Sequence, residues 1–89
     1  MKEETVKRGY GIVVADRGFV YVGDTEIRGD WCVVSGAWNI RYWGTERGLG
    51  QLATEGPTSK TKLDAVGCVH IPMRAVISVI DTEAKLWKG

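Results

Sequence analysis

Apolar and polar residues alternate with a period of two along most of the chain. Tyr10, Ile12 and Val14 fall on one side of an extended segment, and Val13 and Ala15 on the other, which predicts a first strand. Asp16-Arg17-Gly18 then marks a tight connection into "FVYVGDTEI", because glycine supplies the positive φ that short hairpins require. Gly23-Asp24 and Gly29-Asp30 repeat that punctuation. The second opens "DWCVVSGAWNIRYWG", rich in β-branched and aromatic residues, and its break at Ser35-Gly36 predicts two strands. In the second half of this run Trp38, Ile40 and Tyr42 form an apolar face, while Asn39, Arg41 and Trp43 form a wet one. A half-buried strand with a solvated outer side accounts for Asn39 and Arg41. Trp43 is the exception, because an exposed tryptophan beside an arginine is a common binding anchor.

After Gly44 the period lengthens. Leu49, Leu52 and Ala53 follow i, i+3, i+4 spacing, Thr45 stands where a cap belongs, Gly56 suits the C-terminal cap and Pro57 stops the run. This predicts a helix near residues 46–55. Gly48 and Gly50 each cost about 1 kcal/mol relative to alanine there, so the helix needs packing against the sheet. A polar, basic loop follows over Thr58 to Lys62. Strand character returns with Val66, Cys68 and His70 alternating with Val69 and Ile71, breaks at Pro72, and resumes in "AVISVID". "TEAKLW" reads as a short helical turn capped by Thr82, or as a frayed tail. The expected fold is mainly β (α+β): a small antiparallel sheet of about six short strands rolled into a barrel or sandwich, with one short helix.

Composition changes this picture little. The 89 residues predict one domain, residues 1–89, with loose ends at 1–7 and 84–89. So short a chain builds a modest core, which makes homo-oligomerisation the default expectation. Twelve Lys and Arg against eleven Asp and Glu leave a net charge of +1, too little for a bulk field that captures nucleic acid or an acidic membrane. The acidic start "MKEET" does not suit a secretory signal, and no apolar run is long enough to span a bilayer, so the expected location is the cytoplasm. There Cys32 and Cys68, in apolar runs, read as reduced core thiols. Two cysteines and one histidine, with no CxxC, do not supply a tetrahedral zinc site, and neither metal nor cofactor is expected.

The candidate chemistries are few. Gly48-Leu49-Gly50-Gln51-Leu52-Ala53 matches G-x-G-x-x-A, but that fingerprint carries meaning only within a βαβ unit, and the alternating helices of such a unit are missing. Lys60 follows Ser59 without the glycine of a Walker A loop. A looser anion site remains, in which Arg41, Arg47, Lys60 and Lys62 gather near the start of the helix. His70 is the sole histidine; Cys68 shares its strand face two residues away, but such neighbours lie about 7 Å apart, too far for a nucleophile and its base. No paired carboxylates stand at acid–base spacing. An enzyme is not expected.

At Arg41-Tyr42-Trp43-Gly44, then Leu49 to Gly56, and finally Ile80 to Ala84, the sequence resembles a family of short phage and prophage proteins known as a domain of unknown function. The family's strand end reads R-x-W-x-G, its helix L-x-Q-L-A-x-E-G and its close I-D-T-E-A; the likeness covers roughly residues 31 to 85. The resemblance implies an accessory protein that acts by stoichiometric binding, for instance in blocking a host defence, and implies no reaction. It singles out the strand-to-helix junction. There Trp43 would stack, Arg41, Arg47 and Lys60 would meet negative groups, and Gln51 would hydrogen-bond a host protein or a small anionic, nucleotide-like ligand. The alternatives are a structural or virion-assembly protein that self-associates through strand edges and the Trp87 tail, and a small nucleic-acid-binding barrel.

Overall fold

The alternation around Tyr10 does form a strand, and it extends well beyond its apolar part. In the computed structural model, which describes residues 5–87, the strands are β1 (Thr5–Ala15), β2 (Val20–Arg28), β3 (Trp31–Tyr42), β4 (Lys62–Pro72) and β5 (Val76–Asp81), with one helix, α1 (Leu49–Glu55). All five strands belong to one antiparallel sheet in the order β4-β3-β2-β1-β5.

The described residues are therefore mainly β, with five strands and not six. Ser35-Gly36 does not divide β3. Gly36, at φ 57, takes up an extra residue, so that Ser35 pairs with Asp24 and Trp38 with Val22 while Gly36 and Ala37 share the space opposite Gly23. Gly23 does not end β2 either. It is a point of close approach, since a Cβ there would lie 2.8 Å from the Ser35 carbonyl oxygen and from a Val34 methyl. The Gly29-Asp30 connection between β2 and β3 is as expected, with Gly29 at φ 57.

β4 and β5 lie at opposite edges of the sheet, yet only the 3₁₀ turn Met73–Ala75 joins them. Four peptide units reach about 14 Å at most, whereas four strand spacings of a flat sheet cover about 19 Å. The sheet must coil. No ladder joins β4 to β5, so among the described residues it stays open and is not closed into a barrel.

Coiling gives the sheet two cores. Ile12, Val20, Val22, Ile40, Leu52, Ala53 and Trp87 pack on one face, beneath α1 and the C-terminal turn. Val13, Ala15, Cys32, Val34, Ala37 and Ile71 pack on the other, inside the coil. β1 serves both, with Ile12 and Val13 fully buried back to back; each such aliphatic side chain contributes about 1.5–3 kcal/mol.

Three expectations change with this packing. The helix starts at Leu49 and not at Glu46, because Gly48 at φ 75 occupies the N-cap position and no side chain caps it; Thr45 lies outside it. Thr82 is not a cap: the 3₁₀ turn Ala84–Leu86 starts after Glu83, and the Thr82 hydroxyl donates to the Ala53 carbonyl (2.6 Å) while accepting the Trp87 indole N–H (3.1 Å). Cys32 is a core thiol, but Cys68 is exposed, since Val69 and Ile71 take the inward side of β4. At the ends, Thr5–Lys7 belong to β1 and Trp87 is buried; residues 1–4 and 88–89 lie outside the described residues.

Candidate functional site

The junction between β3 and α1 is held by hydroxyls. Thr61 donates to the Trp43 carbonyl and Thr58 to the Gly44 carbonyl, both at 2.7 Å. The Thr58 hydroxyl also accepts the Lys60 N–H at 3.1 Å, so the turn after Pro57 is folded onto the end of β3. Gly44 makes this contact possible. It sits at φ 65, and a Cβ on it would come within 2.6 Å of the Lys60 backbone.

The next turn is held by an amide. Gln51 Oε1 accepts the backbone N–H groups of Glu46 (3.2 Å) and Arg47 (3.0 Å), doing for this loop what a capping side chain would have done for a longer helix. Those N–H groups are therefore spent within the chain.

Two open depressions flank the clamped segment. Arg41, Tyr42, Trp43, Gly44, Thr45 and Gly48 line the first, of about 390 Å³. The second, of about 340 Å³, is lined by Tyr42, Gly44, Thr45 and Glu46 together with Gln51, Thr58, Ser59 and Lys60. Tyr42, Gly44 and Thr45 line both, as the ridge of a saddle. Tyr42 is 59% and Trp43 41% exposed.

The expected residues divide among these features. Arg41 and Trp43 line the first depression, and Gln51 and Lys60 the second. Arg47 lines neither and is ion-paired with Glu55. Arg41 pairs with Asp64 at 2.9 Å, an exposed contact that contributes about 1 kcal/mol or less. Lys62 pairs with Tyr42 across the β3–β4 ladder, outside the lining. Tyr42, Thr45, Thr58, Ser59 and Thr61 were not singled out as site residues. Tyr42 read as apolar face and Thr45 as a cap, while the hydroxyl-rich "PTSKT" is the one signal that could have pointed to the clamp.

Elsewhere there is little chemistry. Among the described residues no cluster of His, Cys, Asp and Glu could hold a metal ion, and no helix is long and apolar enough to cross a membrane. His70 is exposed and meets Trp31 edge to face, with centroids 6.4 Å apart. Burial pushes the Cys32 thiol above its ordinary pKa, and burial together with the Asp24 carboxylate does the same for Tyr10. A further depression, of about 510 Å³, lies between α1 and the C-terminal turn and is lined in part by Thr54, Asp81 and Glu83.

No family model, curated protein or solved structure matches this chain.

Proposed function

We propose that this chain is a non-enzymatic binding module whose ligand surface is the saddle at Tyr42–Thr45. The observation that carries the reading is the clamp: two exposed rings stand on a backbone whose carbonyls are fixed by Thr58 and Thr61, so little order has to be gained on binding. The balanced ion pairs of Arg41 and Arg47 favour a small anionic ligand or a protein surface over a nucleic-acid backbone, which calls for a run of unpaired cations. With the phage-like motifs, the role such a module would serve is stoichiometric, that of an accessory protein occupying a host partner or its signal.

Native mass spectrometry of the protein taken gently from host lysate tests this. A mass retained by the native protein, lost on denaturation and absent from Trp43→Ala at unchanged melting temperature, is the expected result. Retention that is indifferent to Trp43→Ala, or no retained mass at all, counts against the saddle.

A structural, self-associating role is a second reading, favoured by β4. From Ala65 to Cys68 this edge strand is exposed throughout, with Lys62 and Pro72 only at its ends and a register irregularity at Gly67. Such association would use the strand edge and not Trp87, which is buried against α1.

A further inference from the structure

We infer that the two depressions are one site for a ligand that joins a planar ring to a single acceptor-rich negative charge, as a cyclic mononucleotide does. This rests on the saddle being the binding surface and names what it would take.

The argument starts from donors that the fold leaves unused. Because Gln51 Oε1 already accepts two backbone N–H groups, its Nε2 keeps two N–H donors, and no described residue accepts from them. Lys60 also lines this depression, and its ammonium has no carboxylate partner among the described residues. Thr45 and Ser59 belong to the same lining, and their hydroxyls form no hydrogen bond with any described residue. Thr58 and Thr61, by contrast, are spent on the clamp. Four side chains with free donors thus surround one small volume, which suits a group rich in acceptor oxygens.

The neighbouring depression supplies the ring wall. Tyr42 and Trp43 are exposed there, and because Tyr42, Gly44 and Thr45 line both spaces, the two adjoin. Stacking a base on such rings is worth about 1–3 kcal/mol.

Charge sets the number of negative groups. Arg41 and Arg47 are matched by Asp64 and Glu55, which leaves Lys60 and Glu46 as the two charged residues of the second lining. One negative charge can sit against Lys60, and a second or third would meet the Glu46 carboxylate. Glu46 is better placed to accept an N–H or O–H from the same ligand.

Calorimetric titration of the full chain with 3′,5′-cyclic AMP, AMP, ATP and adenosine, and with the guanine series in parallel, tests this. The expected result is tightest binding of a cyclic mononucleotide, with its nucleoside and triphosphate at least about tenfold weaker. Gln51→Glu separates ligand from fold, because it keeps an oxygen for the Glu46 and Arg47 N–H groups and removes the donors. It should lower affinity at least about tenfold with the melting temperature unchanged, and Lys60→Met should do likewise. Equal binding of all the probes, no binding of any, or full affinity in both variants overturns the assignment. If no nucleotide binds while a lysate ligand is still lost with Trp43→Ala, only the ligand class falls and the saddle stands.

Discussion

β3 begins at one tryptophan and ends beside another. Trp31 and Trp43 are 44% and 41% exposed, so accessibility does not tell them apart. Trp31 forms the end pair of two ladders, with Arg28 and with Pro72, and meets His70 edge to face. Trp43 lies just past the last ladder pair, on a backbone gripped by two hydroxyls and beside two depressions. The difference teaches that an exposed ring becomes a candidate site through what surrounds it: concavity, a fixed backbone and unspent donors.

The sharpest test of this contrast is behind the Trp43 end, where Trp87 fills the core under α1. Trp87→Ala should cost about 3–5 kcal/mol in urea unfolding, and amide exchange at Glu46 and Arg47 should rise before that of the Trp31 ladder. Gly44→Ala comes next, at about 2–3 kcal/mol, because a Cβ at φ 65 must also displace the Lys60 backbone. Thr58→Val removes the hydroxyl that serves Gly44 and Lys60 and should cost about 1–2 kcal/mol. Trp43→Ala and Trp31→Ala should each change stability by less than about 1 kcal/mol, while only the first abolishes ligand retention; matching losses of binding would erase the distinction.

The smallest expected effects are those of pH and thiol chemistry. Cys32 and Tyr10 have folded pKa values raised above their ordinary 9.0 and 10.0. The unfolded chain therefore loses these protons first, so their contribution is complete below pH 9 and drains away as pH rises through the folded values. In the native protein at neutral pH a thiol reagent should label Cys68 at once and Cys32 only on unfolding, with mass spectrometry counting the adducts.

Strand identity was legible because alternation is a direct image of a sheet with two sides: "FVYVGDTEI" and "AVISVID" fall within a residue of β2 and β5, whereas β1 was read only from Tyr10 and in fact begins at Thr5, in a polar stretch that carries no alternation. Gly36 was misread because a bulge and a turn leave the same mark, a glycine at which the alternation slips; only the partner strand tells them apart. The helix start was misread for a similar reason. Thr45 has the chemistry of a cap, but Gly48 at φ 75 breaks the helical path, and Gln51 reaches back to do the holding. Arg41, Trp43, Gln51 and Lys60 could be nominated as polar or aromatic residues near one junction. That Arg41 and Arg47 would find carboxylates, and Lys60 none among the described residues, depends on strand register and loop path, which local composition does not encode.

The pairing of β1 with β5 has a consequence for how the chain is made. Gly11 pairs with Asp81, so β1 must wait for β5, made much later, before its second ladder can close. Until then Ile12 and Val13, buried on opposite faces in the finished protein, have no complete cover on either side. A chain with contacts so distant in sequence folds slowly for its size and is most prone to aggregate during synthesis, when β1 is made and β5 is not.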